Sequence, residues 1–331
     1  MKKIKALFLS FLLTGLAQNS FAGKPPTQPN SYDGAAPTAR TMAMAGAATG
    51  LAGFSDAYYY NSAMYGFSSA ATKAEVSGVV VRQSDVIPSQ VARMDPSGQG
   101  LTSFIMVKDT GALIWQALSD NTISNTYDDG SWHKTETYIN QLIIAAGQKN
   151  DKGTSIGINF TYLYGKIGES SLVSGVPYSN MASGNGFALD LSFAYPAGKN
   201  VFFGVNFKNI AGFMFWDDYN TEQLPLIIRT GTGYHMKGFL FATDYEKRFY
   251  RFGDLQEEYV RIGLEQYINS AVCLRAGAVS NDSFDTDSLQ YSYGIGFRIG
   301  GYELSFAGEQ SKIYDDKSFV RYMLSFSAMV K

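Results

Sequence analysis

Apolar and polar residues alternate along most of the chain after about residue 75. Between Ser155 and Gly165 one face carries aliphatic and aromatic side chains, and the other carries small and polar ones. The clearest apolar faces are Ile156, Ile158, Phe160, Tyr162 and Tyr164; Phe187, Leu189, Leu191, Phe193 and Tyr195; and Leu289, Tyr291, Tyr293, Ile295 and Phe297. A period of two over about ten residues predicts a β-strand with one apolar and one polar face.

About fourteen such strands are predicted, and their connections alternate between tight turns and mostly longer loops. The spans are 75–84, 99–108, 111–119, 132–149, 153–166, 185–196, 199–209, 224–236, 238–248, 256–268, 271–279, 287–299, 301–312 and 319–330. Short periplasmic turns and longer outer loops are typical of outer-membrane barrels. The sequence therefore predicts an all-β fold, a transmembrane antiparallel β-barrel of about fourteen strands with both ends in the periplasm.

A soluble β-sandwich would also alternate, because its apolar faces turn towards a shared core. Three features favour the barrel instead. The strands are long, their apolar faces are rich in Tyr and Phe, and Gly and charged residues recur on the opposite face. The lumen of a fourteen-strand barrel would tolerate such residues.

The start of the chain predicts export. Lys2, Lys3 and Lys5 precede a short apolar run, and Ser20-Phe21-Ala22 supplies the small residues that a signal peptidase reads. We therefore expect a signal peptide at 1–22, an N-terminal plug or hatch segment at 23–74, and the barrel at 75–331. The expected location is the outer membrane of a Gram-negative cell, with membrane lipid around the barrel.

Composition narrows the function. The formal net charge of −2 gives no reason to expect nucleic acid as a partner. The single cysteine, Cys273, excludes a disulfide within the chain and a zinc site built from cysteines. No cofactor is expected. Aromatic residues make up 15% of the chain, as expected for a barrel with aromatic girdles at both membrane interfaces.

Many ionisable residues fall on the inward register of the predicted strands. A Lys or Arg facing lipid near the membrane midplane would cost about 2–4 kcal/mol, so these side chains belong inside. Their signs are mixed, which favours an electrostatic scaffold over an ion-selective path. The predicted network comprises Asp190, Lys208, Arg229, Asp244, Arg261, Arg275, Arg298 and Arg321, together with Glu246, Glu265, Glu303 and Glu309.

The segment before the first strand is built from Ala, Gly, Met and Thr, as in Ala43-Met44-Ala45-Gly46-Ala47, and small residues allow close backbone packing. Together with Tyr60-Asn61-Ser62-Ala63 it resembles the opening of the long-chain fatty-acid transporter (FadL-like) barrels and their PorV/PorQ relatives. These proteins often begin with Arg-x-x-x-Met-Gly-Gly-Ala, matched loosely by Arg40 to Ala47, followed by Asn-Pro-Ala. Ser62 stands where the family usually has proline. The stretches Lys208-Asn209-Ile210 and Leu274-Arg275-Ala276-Gly277 extend the resemblance.

The resemblance implies a hatch at 36–66 inside the barrel, near which hydrophobic molecules bind. The implied hatch or substrate residues are Arg40, Met44, Gly46, Tyr60, Asn61, Ser62 and Ala63. It implies passive transport or binding of hydrophobic small molecules. The PorV/PorQ branch implies instead a type IX secretion accessory that binds secreted protein partners. The sequence leaves both open.

Other chemistry has weaker support. His133 lies near Ser131, Asp128 and Asp129, but proximity in sequence does not make a catalytic pair, so we expect no enzyme. The acidic groups Asp217-Asp218, Asp282 to Asp287 and Asp315-Asp316 lack the spacing of a calcium loop and are expected to be solvated. Trp216 is expected to cap the barrel rim; the alternative is an apolar surface for a hydrophobic substrate.

Overall fold

The computed structural model describes most of the mature chain. The described residues are 32, 36–67, 72–84, 100–108, 110–126, 129–173, 175–250, 256–281, 289–314 and 317–330. The predicted signal peptide at 1–22, the predicted loop at 85–98, Asp128, and the acidic groups Asp282 to Asp287 and Asp315-Asp316 lie outside them.

Within that part of the chain the fold is almost entirely strand. Two short helices, α1 (Ala39–Ala43) and α2 (Ala57–Tyr60), and a 3-10 helix (Ser62–Phe67) come first. The strands follow: β1 (Thr72–Ser84), β2 (Gly100–Lys108), β3 (Gly111–Thr126), β4 (Trp132–Lys149), β5 (Ser155–Val173), β6 (Val176–Pro196), β7 (Val201–Trp216), β8 (Glu222–Gln223), β9 (Leu226–Met236), β10 (Phe239–Phe249), β11 (Gln256–Tyr267), β12 (Val272–Asn281), β13 (Gln290–Ile299), β14 (Tyr302–Tyr314) and β15 (Lys317–Val330). No helix among the described residues is long and apolar enough to cross a membrane.

The strands close into a barrel. Consecutive strands pair antiparallel, and the last strand, β15, returns to pair with β1 from Thr72↔Val330 to Ser84↔Phe319. The two-residue strand β8 pairs with the outer end of β7, so fourteen of the fifteen described strands form the wall. This confirms the predicted antiparallel barrel of about fourteen strands. Closure leaves no edge strand with unpaired backbone groups, which a hydrocarbon environment requires.

Burial alternates along the strands in the predicted register. In β5 every second residue from Ser155 to Leu163 is buried, while Ile156, Phe160 and Tyr164 are 50%, 50% and 39% exposed on the outer face. Comparable exposed apolar residues occur on most of the other strands, such as Phe193, Phe203, Leu304 and Phe326. A soluble protein rarely exposes a continuous apolar patch of more than a few hundred Å². The outer face is therefore the lipid-facing belt of a transmembrane barrel.

Three of the predicted outer loops are shorter in the structure than the sequence pattern indicated, so their predicted bounds are wrong. The structure continues β3 to Thr126, β5 to Val173 and β7 to Trp216, and it starts β6 at Val176, so most of 120–131, 167–184 and 210–223 is strand. These extensions contain many polar residues on both faces. Beyond the lipid the outer face of a strand meets water and need not be apolar. The hairpins therefore continue there, although the alternation that predicted the strands is lost.

A bulge interrupts the β6–β7 ladder. Leu189 pairs with Ala211 and Leu191 with Phe207, so Lys208-Asn209-Ile210 lie opposite Asp190 alone. Asn209 adopts φ +57°, a conformation that Asn tolerates better than most residues. Its backbone N–H donates to Asp190 Oδ1 at 2.8 Å, and its side chain donates to the Pro225 carbonyl. Below the bulge β7 pairs with β9, and above it β7 pairs with β8.

Residues 36–67, called the luminal segment below, lie inside the barrel. Helix α1 packs against β12 to β15, and the 3-10 helix packs against β4, β5 and β6 on another part of the wall. Between them, Gly50 lies against the backbone of Gly233 on β9. Almost every residue of the segment is buried. It therefore follows the inner wall, close to the short turns that connect the strands at the predicted periplasmic end.

Glycines in the wall make room for this segment. A Cβ atom at Gly157 would strike the backbone of Ser62-Ala63, and one at Gly204 would strike the Thr49 carbonyl. A Cβ at Gly263 would come within 2.9 Å of Met44. Other inward glycines that would clash in the same way are Gly147, Gly231, Gly233, Gly277 and Gly294. The backbone of the luminal segment thus approaches the wall more closely than any side chain there would permit.

Substituting Gly157 with alanine should destabilise the protein. Because the added Cβ meets backbone rather than a flexible side-chain end, the Ser62-Ala63 stretch must move, at a cost of about 1–3 kcal/mol in the free energy of unfolding. Denaturant titration of the detergent-purified protein measures this. Gly168→Ala in the same strand is the control, because its Cβ would meet nothing closer than 3.8 Å. Equal effects of the two substitutions would contradict the close-approach role.

Candidate functional site

Arg40 anchors the luminal segment to the wall through a chain of alternating charges. Its Nε and Nη2 donate to the two carboxylate oxygens of Glu265 on β11, at 2.7 and 3.0 Å. Arg275 on β12 donates to Glu265 at 2.6 Å and to Glu303 at 2.6 Å, and Arg298 also donates to Glu303. The side chains of Glu265 and Arg275 are fully buried. Each charge has therefore lost its water, and the opposite charge beside it offsets that cost.

The other side of the Arg40 guanidinium faces the luminal segment itself. Its Cζ lies 3.1 Å from the centre of the Phe54 ring, and Nη1 lies 3.9 Å from Asp56 Oδ1. Asp56 in turn accepts from the Thr38 hydroxyl at 2.5 Å. Desolvation works against the charged form of Arg40, but Glu265 and Asp56 outweigh it and hold its pKa above the ordinary value. Arg40 therefore stays protonated inside the barrel.

A second anchor lies around Asp244 on β10. Its Oδ2 accepts from the backbone N–H groups of Ala48 and Thr49, at 3.0 and 3.1 Å, and from the Thr49 hydroxyl at 2.8 Å. Arg229 on β9 lies 3.4 Å from the same oxygen and donates to the Gly46 carbonyl at 3.2 Å. Gly46 adopts φ +75°, which glycine accepts without strain, and this turn presents its carbonyl to Arg229.

The Tyr60-Asn61-Ser62-Ala63 stretch forms the third attachment. The Arg229 guanidinium lies 4.6 Å from the centre of the Tyr60 ring, and burial raises the Tyr60 pKa well above its ordinary value. The Asn61 side chain donates to the carbonyls of Thr49 and Phe193, and its oxygen accepts from the Ala63 N–H at 3.0 Å. The Ser62 hydroxyl lies 3.3 Å from the Ser192 hydroxyl on β6.

The predicted lumen charges do not form a single network. Arg275 and Arg298 belong to the Arg40 chain, and Arg229, Asp244 and Arg261 gather around Glu246. Arg321 pairs separately with Glu309 at 2.5 Å. Asp190 lies at the β6–β7 bulge, opposite Lys208-Asn209-Ile210, and accepts from the Asn209 N–H. Lys208 donates to the Tyr59 hydroxyl at 3.4 Å.

A cavity of about 210 Å³ lies between the luminal segment and the charged part of the wall. Ala36, Met42, Gly46 and Tyr60 contribute to its lining from the luminal segment. The ionisable side chains around it are Lys208, Arg229, Glu246, Arg248, Arg261, Glu309 and Arg321. An engineered protein cavity of about 150 Å³ holds benzene, so this one has room for a small ring compound. Its lining suits a molecule that also carries a polar group.

The opposite part of the lumen is apolar. A buried cluster joins inward residues of β3 to β7 with Tyr32, which precedes the luminal segment, and its other members are Leu118, Ile139, Leu163, Ile167, Ala188, Met214, Trp216 and Leu224. The Tyr32 hydroxyl donates to Glu222 Oε2 at 2.7 Å, and Trp216 Nε1 donates to the same oxygen at 3.2 Å. Trp216, predicted to cap the rim, instead packs into the lumen.

Several residues of the site were missed in the sequence. Thr49, Asp56, Tyr32 and Glu222 carry no local motif, and their partners lie far away in the chain, as with the 190 residues between Tyr32 and Glu222. The inward glycines were visible on the polar face of the strands. The number of glycines on that face was the signal in the sequence that another segment packs closely against the wall.

Other candidate chemistry finds no support among the described residues. His133 lies at the outer end of β4, and His235 on β9 lies against the rings of Phe54 and Phe202. No group of three or more His, Cys, Asp or Glu residues in the described part of the chain is placed to hold a metal ion. Of the three acidic groups noted in the sequence, Asp217-Asp218 falls on described residues, and it lies in the connection between β7 and β8.

Together these features define a class: a closed transmembrane β-barrel with its own N-terminal segment packed in the lumen. No protein-family model and no curated protein matches the chain. Solved structures with the same architecture include the toluene transporter TbuX of Ralstonia pickettii, with a TM-score of 0.67, 12% identity and coverage of 89% of this chain and 98% of that one. The toluene transporter TodX of Pseudomonas putida has a TM-score of 0.65 and 11% identity, and the match covers 88% of this chain and 97% of TodX. A monoaromatic hydrocarbon channel, CymD, has a TM-score of 0.63 and 11% identity, and the match covers 90% of this chain and 98% of CymD.

At these identities the similarity establishes the fold. It agrees with the FadL-like architecture implied by the sequence, and these structural neighbours are channels or transporters. The comparisons do not support the PorV/PorQ branch.

Removing the Arg40 charge should destabilise the protein strongly. Arg40→Met leaves Glu265 with one of its two cationic partners lost in a buried site, and breaking such a pair costs about 3–5 kcal/mol in the free energy of unfolding. Arg40→Met/Glu265→Gln should cost less than the sum of the single changes, because both substitutions remove the same Arg40–Glu265 interaction. Denaturant titration of all three variants in detergent measures the coupling.

The ion pair Lys247–Glu258 provides the control. Its atoms are 2.7 Å apart, but the two side chains are 29% and 31% exposed. Lys247→Met should therefore change stability far less than Arg40→Met, since exposed pairs contribute little. Strict additivity of the Arg40 and Glu265 substitutions would argue against the anchor.

Proposed function

We propose that this protein is an outer-membrane channel for passive transport of hydrophobic small molecules, in which the luminal segment acts as the hatch. The predicted signal peptide at 1–22 would deliver it to the periplasm, and outer-membrane lipid would surround the apolar belt. The observation that carries the proposal is the position of the luminal segment. Its first helix packs against β12–β15 and its 3-10 helix against β4–β6, so the segment lies across the inside of the barrel near the short-turn end.

The way the segment is held supports a hatch. Its contacts with the wall are hydrogen bonds, ion pairs and close packing on glycines, and several are reversible without disturbing the strand ladders. Because the barrel closes on itself through β1 and β15, its wall does not depend on the segment for backbone pairing. The segment can therefore shift while the barrel persists.

The two sides of the lumen support an amphipathic route. A solute entering from the outer end meets apolar side chains of β3 to β7 on one side and the charged cavity on the other. Apolar surface favours desolvation of a hydrophobic body, and the arginines and tyrosines receive a polar group. Binding at several weak sites in sequence permits entry and release without an energy source. The solved toluene transporters with this fold make the same general class of cargo the first to test.

No observation on the described residues favours the alternative, a PorV/PorQ-like secretion accessory with secreted protein partners. It stays a prediction from sequence.

Locking the luminal segment to the wall should stop uptake. Ser62 and Ser192 have hydroxyl oxygens 3.3 Å apart, so Ser62→Cys/Ser192→Cys in a Cys273→Ala background places two thiols within reach of a disulfide. The measurement is entry of 1-N-phenylnaphthylamine, a hydrophobic dye excluded by lipopolysaccharide, into Gram-negative cells expressing the protein. Oxidation should reduce the uptake rate to that of cells without the protein, and reduction should restore it.

The matched control links two wall strands instead. Ser77 on β1 and Ser325 on β15 have hydroxyl oxygens 2.7 Å apart. Because Ser325 Oγ also accepts from the Ala39 N–H at 2.6 Å, the reduced Ser77→Cys/Ser325→Cys variant, in the same Cys273→Ala background, is the reference, and oxidation should leave its uptake unchanged. If the protein gives no dye uptake above background in any state, the transport proposal fails. If uptake persists with the Ser62–Ser192 link closed, the segment is not the gate.

A further inference from the structure

Tyr32 occupies a pocket that the barrel wall has built around a phenol ring. It is 5% exposed, although it precedes the luminal segment, and it belongs to a buried cluster with residues from five strands of the wall and the connection that leads to β9. The apolar members of this cluster include Ile139, Leu163, Ile167, Met214 and Trp216. These residues are buried, so the ring faces the inside of the barrel, at its outer end.

The polar end of the pocket is a buried carboxylate. Glu222, on the short strand β8, is 8% exposed, and its Oε2 accepts from the Tyr32 hydroxyl at 2.7 Å and from Trp216 Nε1 at 3.2 Å. Both donors belong to aromatic side chains. A carboxylate removed from water is costly without such donors, so a ring that takes the place of Tyr32 must bring a hydrogen-bond donor, such as a hydroxyl, to keep this contact.

We propose that this pocket is a binding site for free phenols and that Tyr32 is its built-in occupant, which an incoming phenol displaces. The proposal rests on the channel function above and names its substrate class. A para-substituted phenol has the same ring and the same hydroxyl as the tyrosine side chain, and can therefore make the same contacts with Glu222 and the apolar wall.

Charge and hydrogen bonding select against related rings. A plain hydrocarbon such as toluene fills the apolar space but leaves Glu222 with one donor fewer. An aromatic acid brings a second negative charge towards Glu222. A site built to bond a hydroxyl discriminates against analogues that lack it, because its polar group then loses one of its hydrogen bonds. Phenols are thus favoured over both.

Tyr32 acts as a competitor because it is tethered. A group held by a short stretch of chain has an effective concentration of about millimolar or more at its own site. A free ligand then binds only to the fraction of molecules whose pocket is vacant, and its apparent affinity falls by that fraction. Free phenol at high concentration displaces Tyr32, whereas at low concentration the pocket stays closed by the protein itself.

Removing Tyr32 should expose the site. Tyr32→Ala, purified as the full chain in detergent, should bind 4-methylphenol at least about ten-fold more tightly than the native protein, measured by isothermal titration calorimetry. In the same variant, toluene and 4-methylbenzoate should bind at least about ten-fold more weakly than 4-methylphenol. Adding Glu222→Leu to Tyr32→Ala should abolish the preference for 4-methylphenol over toluene.

Tyr65→Ala is the matched control. It opens a similar volume elsewhere in the lumen, where the tyrosine hydroxyl donates to the Gly111 carbonyl, and it should not raise the affinity for 4-methylphenol. Heat-modifiable migration on gels verifies that each barrel is folded. Unchanged 4-methylphenol affinity in folded Tyr32→Ala overturns the inference, and so does an equal gain in Tyr65→Ala.

The outcome is separable from that of the channel proposal. If the disulfide experiment supports a moving hatch but Tyr32→Ala gains no affinity for 4-methylphenol, transport stands and the phenol site falls. If Tyr32→Ala gains the selective affinity but the cells take up no dye, the phenol site stands as a binding site and transport falls.

Discussion

Backbone hydrogen bonding in a hydrocarbon environment is the constraint on which this structure depends. Each N–H and C=O group within the lipid must be paired inside the protein, and strands achieve this only when the sheet closes. The β1–β15 ladder completes that closure over the full length of β1. Once the sheet is closed, alternate side chains must face lipid or lumen, and the apolar outer face and polar inner face follow from it.

Closure with fourteen strands creates a second requirement. A barrel of about eight strands is just wide enough for its own side chains to fill, so a wider one must hold water, a ligand or another segment of chain. Here residues 36–67 occupy part of that space. Glycines on the inner wall provide close approach, and Arg40 and Asp244 provide specific attachment points. Buried ion pairs of this kind fix a position more effectively than they add stability.

The lumen is consequently divided. Strands β3 to β7 contribute an apolar surface around Tyr32 and Trp216, whereas β9 to β15 contribute most of the charged residues. This separation keeps the charge pairs together, where they compensate one another, and leaves a mainly apolar surface with Glu222 at its edge. The bulge at Asn209 lies between the two parts, where β7 changes partner from β9 to β8 and places Glu222 beside the apolar cluster.

The sequence by itself determined the barrel, because a period of two is a local property that each strand displays independently of its neighbours. It also indicated which face of β5 or β7 is inward, since Gly157, Gly204 and Lys208 share the polar register. It did not reveal the strand extensions beyond the membrane, because an outer face that meets water need not be apolar and the period is lost. The pairing of Arg40 with Glu265 and of Tyr32 with Glu222 was decided by the tertiary structure alone. Those contacts join residues some two hundred positions apart, and only closure of the barrel and the path of the luminal segment bring them within bonding distance.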